Sequence, residues 1–347
     1  MRVLRKLESP FCFGIDKMIE MDLSLARKIC RRAAVGNPVW VSEPLRGEVN
    51  ESFLFLLENG RRWVCRINRH DQEVDKIARE AKTYRWLHQV APDLPLALDY
   101  LPDCSKSLLS ADYALIPFLE GHGVGEAIES LPSLKRALLM EEIGQLLRRF
   151  HRIRVPFFGN RLDDPRVFPE AQSWRGYLKE RFEEEVARCQ RALGDSPSWG
   201  EPLRTSFDEM LSLHPDRCEP VFLHGDFHYD NLLFIENAAG APKLSGVFDL
   251  EWAWWGDPIA DLLHLEEAFF FYPQDMPPFL KGYGRPDWPT EALKAYRTLH
   301  SLKNLSVGLT WEPEPNWDLV ALHQERIRLL ALGQNPFGRS KEREAFS

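Results

Sequence analysis

The sequence lacks the long apolar runs that mark membrane proteins. Its 347 residues contain no stretch long enough to span a bilayer. The basic residues near the start, Arg2, Arg5 and Lys6, are not followed by the apolar core of a signal peptide. We therefore expect a cytoplasmic protein with no membrane partner.

The sequence also has few cysteines, and its basic residues are fewer than its acidic residues. The six cysteines are scattered and form no C-x-x-C pair, which indicates reduced thiols rather than a disulfide framework. Lys and Arg number 44 against 52 Asp and Glu, so the net charge is −8. This balance argues against a general nucleic-acid partner. An acidic surface suits a cationic substrate, although a solvated acidic surface is the commoner explanation.

Repeats and low-complexity tracts are absent as well. Hydrophobic residues make up 44% of the chain and charged residues 28%, which is typical of a globular protein. The length allows one large domain or two ordinary domains, each with its own core.

The most informative stretch runs from residue 221 to residue 257. His224-Gly225-Asp226 follows a short apolar run that suits the end of a buried strand, and Asn231 lies five residues after Asp226. Residues 224–231 contain Gly, two Asp, two His and Asn, which favours a loop. Asp249 follows after a short break.

A hairpin is predicted directly after this loop. Residues 232–235 and 243–248 are strand candidates joined by a turn-like segment. Such a hairpin would place Asn231 and Asp249 opposite each other at its open end, next to Asp226. An amide oxygen and a carboxylate side by side suit Mg²⁺. A carboxylate outside the metal shell can orient a hydroxyl nucleophile and accept its proton.

H-G-D-x-x-x-x-N followed by an Asp on a hairpin strand resembles the aminoglycoside phosphotransferase family, small-molecule kinases with a protein-kinase-like fold. Gly256-Asp257-Pro258 and Asp261-Leu262 also look like that family. The resemblance implies that Asp226 is the catalytic base and that Asn231 and Asp249 hold Mg²⁺. It also implies that Asp261 braces the catalytic loop through its backbone.

The resemblance extends to an N-terminal β meander over residues 39–67. Its segment 46–52 corresponds to the nucleotide loop, which implies phosphate contacts from Gly47, Asn50 and Ser52. The segment contains one glycine and is neither a Walker A motif nor a G-x-G-x-x-G loop. Without the neighbouring motifs it is an ordinary hairpin turn.

An ion pair is expected between the meander and the helix that follows it. Arg66 stands where kinases of this fold carry a lysine that contacts the α- and β-phosphates. The arginine departs from that pattern, but its fork of donors can also grip phosphate. Residues 73–90 predict an amphipathic helix. The resemblance makes Glu80 on this helix the partner of Arg66.

Residues 113–119 read as a buried strand that leads into the hinge. The resemblance implies that the adenine edge meets the carbonyl of Pro117 and the N–H of Leu119. Proline has no N–H, so only its carbonyl is required. The three glycines that follow lack G-x-G-x-x-G spacing, and we interpret them as flexibility after the hinge: Gly121, Gly123 and Gly125.

The predicted fold is therefore α+β and bilobal, with a small antiparallel-sheet lobe, a larger mainly helical lobe and the nucleotide in the cleft between them. The expected segments are a helical lead-in (1–37), the nucleotide-binding lobe (38–119), the catalytic and acceptor-binding lobe (120–335) and a tail (336–347). Residues 133–153 give the clearest helical pattern in the larger lobe.

The expected function is transfer of the γ-phosphoryl of ATP or GTP, with Mg²⁺, to a hydroxyl of a small acceptor such as an aminoglycoside or another antibiotic. Two alternatives remain open. His224, Asp226 and His228 form H-x-D-x-H, which suits a transition-metal hydrolase. The second alternative is a non-catalytic relative that binds nucleotide without turnover. The acceptor, the choice of nucleotide and the oligomeric state are left open by the sequence.

Overall fold

The computed structural model describes residues 19–46, 50–68, 76–155, 158–159, 173–194, 197–213, 219–284, 290–311, 314–334 and 336. The chain forms two compact units. The first, here called the sheet unit, contains residues 1–146 and 224–253; the second, the helical unit, contains residues 147–223 and 254–347. The segment 224–253, which the domain prediction assigns to the second lobe, thus packs within the sheet unit.

The sheet unit contains an antiparallel sheet of six strands. They are β1 (Pro38–Val41), β2 (Leu45–Arg46), β3 (Asn50–Leu57), β4 (Arg62–Asn68), β5 (Leu101–Asp103) and β6 (Tyr113–Pro117). The order is β1-β3-β4-β6-β5, with β2 paired to β3. Alternate residues of β3 are buried, as expected for a strand with one face on the core. The β3–β4 register places Ser52 opposite Arg66.

Two helices accompany this sheet. Helix α1 (Leu23–Arg32) begins after Asp22, whose carboxylate accepts from the N–H of Leu25. Its Ile29 and Cys30 share a buried cluster with Phe55 of β3, so the lead-in packs on the sheet as expected. Helix α2 (Lys76–Val90) follows β4 and carries Glu80.

A second, three-stranded sheet carries the predicted catalytic hairpin. It consists of β7 (His122–Gly123), β9 (Leu232–Glu236) and β10 (Pro242–Val247), in the order β10-β9-β7. The short helix α3 (Val124–Ala127) follows β7. The hairpin therefore belongs to the sheet unit because β9 pairs with the strand that directly follows the hinge.

Two of the three glycines after the hinge, Gly121 and Gly125, serve close packing, so their interpretation as flexibility is wrong. Gly121 has φ +152°, and a Cβ there would lie 2.9 Å from the carbonyl oxygen of Phe234 on β9. A Cβ at Gly125 would overlap the side chain of Asp230. The absence of side chains lets the backbone approach the catalytic hairpin.

The remainder of the chain is mainly helical. Helix α4 (Ser133–Phe150) is followed by α5 (Trp174–Leu193), α6 (Gly200–Leu213), α7 (Ile259–Phe271), α8 (Met276–Tyr283), α9 (Thr290–Leu309) and α10 (Trp317–Ala331), with the strand pair β8 (Val221–Leu223) and β11 (Trp254–Gly256). Within the helical unit α9 packs against α5, α6 and α10. An antiparallel sheet followed by a mainly helical remainder confirms the predicted α+β class. Among the described helices, none has the length and apolar character needed to cross a membrane.

Candidate functional site

His224 holds the catalytic loop to the end of the hairpin. Its ring is fully buried. Nδ1 accepts from the N–H of Asp226 at 3.3 Å, so Nε2 carries the proton and donates to the carbonyl of Phe248 at 3.0 Å. Both ring nitrogens are thus engaged by backbone. Neither is left to bind a metal, which removes the first ligand of the H-x-D-x-H interpretation.

The carboxylate of Asp226 lies among polar groups of its own loop and is about one-third exposed. Nδ2 of Asn231 donates to its backbone carbonyl at 2.9 Å. Nε2 of His228 lies 3.3 Å from its Oδ2. Burial lowers the pKa of His228, but the hydrogen bond to Asp226 and its charge outweigh burial, and the pKa is raised overall. Asp226 is therefore oriented by its neighbours and remains accessible.

The sequence predicted Asp249 opposite Asn231, but the hairpin places Phe248 opposite Asn231, and Asp249 follows one residue later. Leu232 pairs with Val247, and the N–H of Phe248 donates to the carbonyl of Asn231 at 3.2 Å. The amide nitrogen of Asn231 is held by Asp226, so its oxygen is the atom available to a cation. Asp249 has φ +67°, in the left-handed region that non-glycine residues rarely adopt.

Arg66 is surrounded by carboxylates and is largely buried. Nη1 donates to both oxygens of Glu80, at 3.2 and 3.0 Å. Nη2 donates to Oδ1 of Asp249 and to Oε2 of Glu251, each at 2.8 Å. With its amide oxygen facing Arg66, Asn50 accepts from Nε at 3.0 Å. The guanidinium thus bridges α2 and the turn after β10.

Glu80 connects helix α2, Arg66 and the turn after β10. Only 1% of its surface is exposed. Besides Arg66, its carboxylate accepts from the hydroxyl of Tyr100 at 2.7 Å and from the N–H of Leu250 at 3.0 Å. Burial raises the pKa of Glu80 to about 7. Tyr100 lies in a segment that showed no regular pattern, and nothing in the sequence points to it.

Lys76 and Glu251 complete the cluster. Nζ of Lys76 lies 3.3 Å from Oε1 of Glu251 and 4.7 Å above the ring of Trp252. The carboxylate of Glu251 is thus engaged by both Arg66 and Lys76. The spacing of four residues places Lys76 and Glu80 on one helix face but does not point to Glu251.

The predicted hinge groups lie at and just beyond the end of β6. The N–H of Phe118 donates to the carbonyl of Arg62 at 3.0 Å. Neighbouring residues of a strand direct their backbone groups to opposite edges. The carbonyl of Pro117, the last residue of β6, therefore faces away from β4, and Leu119 follows outside the strand.

The residues of the predicted nucleotide loop lie partly on β3. Gly47 lies outside the described residues. Asn50 and Ser52 lie within β3, so the strand begins earlier than the sequence suggested. The structure places Asn50, Ser52 and Arg66 side by side.

No group of three or more His, Cys, Asp or Glu side chains suited to a metal occurs among the described residues. This finding agrees with the engagement of both ring nitrogens of His224. Asn231 and Asp249 instead offer an amide and a carboxylate oxygen, the donors that Mg²⁺ prefers.

A family model described as "Phosphotransferase enzyme family" matches residues 40–293. The chain belongs to this family. The match covers the N-terminal sheet, the catalytic hairpin and the start of α9. A kinase-like family fits the oxygen-rich site better than a transition-metal hydrolase does.

Solved structures share this fold. Aminoglycoside phosphotransferase APH(4)-Ia, a thermostable mutant in complex with ADP and hygromycin B, is 19% identical with a TM-score of 0.63, covering 89% of this chain and 98% of that one. APH(2")-IIia in complex with GDP and kanamycin is 18% identical with a TM-score of 0.57, covering 90% and 99%. These likenesses confirm the predicted protein-kinase-like fold.

Curated relatives are larger proteins. Acyl-CoA dehydrogenase family member 11 from Rattus norvegicus is 25% identical over 247 residues, which cover 70% of this chain and 29% of the relative. Acyl-CoA dehydrogenase family member 10 from Mus musculus is 24% identical over 281 residues, covering 78% and 24%. The chain thus spans less than a third of the length of the curated relatives it matches.

Proposed function

We propose that the protein transfers the γ-phosphoryl of ATP or GTP to a hydroxyl of a small-molecule acceptor. The observation that carries the proposal is the arrangement around the hairpin: Asp226 is hydrogen-bonded to Asn231, and Asp249, which follows the residue opposite Asn231, is bound to Arg66. Family membership supports phosphotransfer as the reaction class.

Asp226 is the proposed catalytic base. Its accessible carboxylate is held by the loop, so it can accept a hydrogen bond from the acceptor hydroxyl and take its proton during transfer. His228, close to Oδ2, would steady the carboxylate and its negative charge. Positioning the hydroxyl in this way supplies the orientation that phosphoryl transfer requires.

The nucleotide is assigned to the groups beside Arg66. Arg66 would contact the phosphates, held in place by Glu80, with Gly47, Asn50 and Ser52 forming the nearby phosphate-binding segment. A planar guanidinium suits this task because it presents several donors to phosphate oxygens.

The base is assigned to the hinge. The carbonyl of Pro117 faces away from β4, and together with the N–H of Leu119 it would meet the edge of the base. One acceptor and one donor in this arrangement suit a purine edge.

Asn231 and Asp249 would hold Mg²⁺. Oδ1 of Asp249 faces Arg66, and Oδ2 remains for a cation beside the amide oxygen of Asn231. The donor set of hard oxygens fits this ion. When bound, Mg²⁺ supplies positive charge against the β- and γ-phosphates.

The acceptor class is the open part of the proposal. The solved relatives are described with hygromycin B and kanamycin, which makes polyhydroxylated amines one class to test. The net charge of −8 agrees with a cationic acceptor. The names of the curated relatives add hydroxylated acyl thioesters as a second class.

The test is nucleoside diphosphate release with Mg-ATP and with Mg-GTP against a panel of hydroxylated acceptors, including both classes. Acceptor-dependent release by the wild type that is lost in Asp226→Asn is expected. The asparagine keeps the side-chain shape and removes the base. Nucleotide binding without diphosphate release for any acceptor would favour a non-catalytic relative. A protein that neither binds nucleotide nor releases diphosphate would contradict the proposal.

A further inference from the structure

Lys76 is a second buried cation beside Arg66. It lies on α2, one helical turn before Glu80, and only 6% of its surface is exposed. Its ammonium lies 3.3 Å from Oε1 of Glu251 and 4.7 Å above the ring of Trp252. An ammonium is costly to bury unless it is paired, so a lysine at this place calls for a function.

Glu251 links this lysine to the arginine. One carboxylate oxygen faces Lys76, and the other accepts from Nη2 of Arg66 at 2.8 Å. The same Nη2 donates to Asp249 at 2.8 Å. Nη1, on the other arm of the guanidinium, is held by Glu80.

The two carboxylates that accept from Nη2 of Arg66, those of Asp249 and Glu251, have different roles in the proposed reaction. Asp249 is the residue assigned to Mg²⁺, and a carboxylate that turns to a cation weakens its bond to the arginine. Glu251 is then the acceptor that keeps this arm in place. A planar fork needs acceptors at both ends to hold its orientation, whereas an ammonium behaves as a point charge.

We propose that Lys76 is a positioning residue for Arg66 and acts through Glu251. This inference rests on the proposed function, in which Arg66 contacts the nucleotide phosphates. Lys76 fixes the carboxylate of Glu251, and Glu251 fixes the second arm of the guanidinium. The arginine that replaces the lysine typical of this fold is thus supported by a pair of residues in addition to Glu80.

The charges of the cluster agree with this role. Three carboxylates, of Glu80, Asp249 and Glu251, surround Arg66. Lys76 brings the number of cations to two. Without it, three carboxylates face a single guanidinium, and repulsion among them favours movement of Glu251 away from Arg66.

The experiment measures binding of a non-hydrolysable ATP analogue with Mg²⁺, which needs no acceptor. Lys76→Met is expected to weaken binding about tenfold, since groups in one ion-pair network are strongly coupled. Lys76→Arg keeps the charge and is expected to restore most of the affinity. In an Arg66→Met background, Lys76→Met is expected to cause no further loss, because its effect passes through Arg66.

Lys82→Met, at an exposed lysine of the same helix, is the matched control, and the thermal midpoint of each variant reports folding. If Lys76→Met fails to fold, Glu251→Gln replaces it and must weaken binding only when Arg66 is present. The inference about Lys76 would be overturned if folded Lys76→Met bound the analogue with wild-type affinity, or if it lost affinity equally with and without Arg66. Either result would leave the proposed function intact. No nucleotide binding by the wild type would overturn the proposed function, and the inference with it.

Discussion

Replacement of Glu80 by glutamine tests the electrostatics of the site through protein stability. The glutamine keeps the shape of the side chain and remains neutral at every pH. Burial raises the pKa of Glu80 from 4.5 to about 7, Arg66 opposes the rise, and Asp249 and Glu251 add to it. Burial is the largest cause of the rise in the pKa of Glu80, and the carboxylates of Asp249 and Glu251 reinforce it.

The sign of the effect follows from proton binding. A carboxyl whose pKa is higher in the folded protein than in the unfolded chain binds more protons when folded. Its contribution to stability is therefore present below pH 4.5 and is lost as the pH rises through about 7. At 1.36 kcal/mol per pKa unit, a rise from 4.5 to about 7 corresponds to about 3 kcal/mol of unfolding free energy.

Glu80→Gln has no carboxyl at this position and does not lose this stability as the pH rises. The unfolding free energy of Glu80→Gln, relative to that of the wild type, is therefore expected to increase by up to about 3 kcal/mol from acidic to mildly alkaline pH. Urea unfolding followed by tryptophan fluorescence across this range measures the difference. Glu209→Gln, at an exposed glutamate of α6, provides the baseline. A difference that stays constant with pH, or that moves the other way, would refute the account of the Glu80 carboxylate.

Three further changes test individual contacts. Tyr100→Phe removes the hydroxyl that donates to Glu80 at 2.7 Å and is expected to cost about 1–3 kcal/mol in urea unfolding and to weaken nucleotide binding. Asp249→Ala is expected to abolish Mg²⁺-dependent diphosphate release while leaving a folded protein. Gly121→Ala forces a Cβ to 2.9 Å from the carbonyl oxygen of Phe234 at a φ of +152°, and a loss of about 1–3 kcal/mol is expected in thermal or urea unfolding.

Two of these changes, Tyr100→Phe and Gly121→Ala, have a control within the chain. Tyr113→Phe also removes a buried hydroxyl contact, with Asp103, and is expected to change stability without changing nucleotide affinity. Gly200→Ala adds a methyl group where the nearest atom, of Arg204, lies 3.8 Å away. Unchanged nucleotide affinity in Tyr100→Phe would contradict the role given to the Tyr100–Glu80 contact. Normal metal dependence in Asp249→Ala would contradict its assignment as a Mg²⁺ ligand, and wild-type stability in Gly121→Ala would contradict the close packing inferred there.

The local parts of the site were predictable from the sequence. The hairpin after Asn231 is set by two short apolar runs and a turn, and its register brings Asn231 opposite Phe248, the residue before Asp249, without any distant contact. The pairing of Arg66 with Glu80 was implied by the family resemblance, which placed one residue on a strand and the other on the helix after it. Such features depend on spacing along the chain, which the sequence displays directly.

The remaining features depend on packing between distant segments. Tyr100 reaches Glu80 from a segment without regular periodicity, and Glu251 meets Lys76 across 175 positions of the chain. Gly121 follows the hinge like a flexible linker, yet it is required by the approach of β9. None of these relations leaves a pattern in the residues that surround each position.

The most direct test follows the phosphoryl group itself. With γ-labelled ATP or GTP, Mg²⁺ and an acceptor found in the panel, the label is expected on a hydroxyl of the acceptor with the wild type and to be absent with Asp226→Asn. Label that appears only as inorganic phosphate, at equal rates in both proteins, would contradict the assignment of a small-molecule kinase.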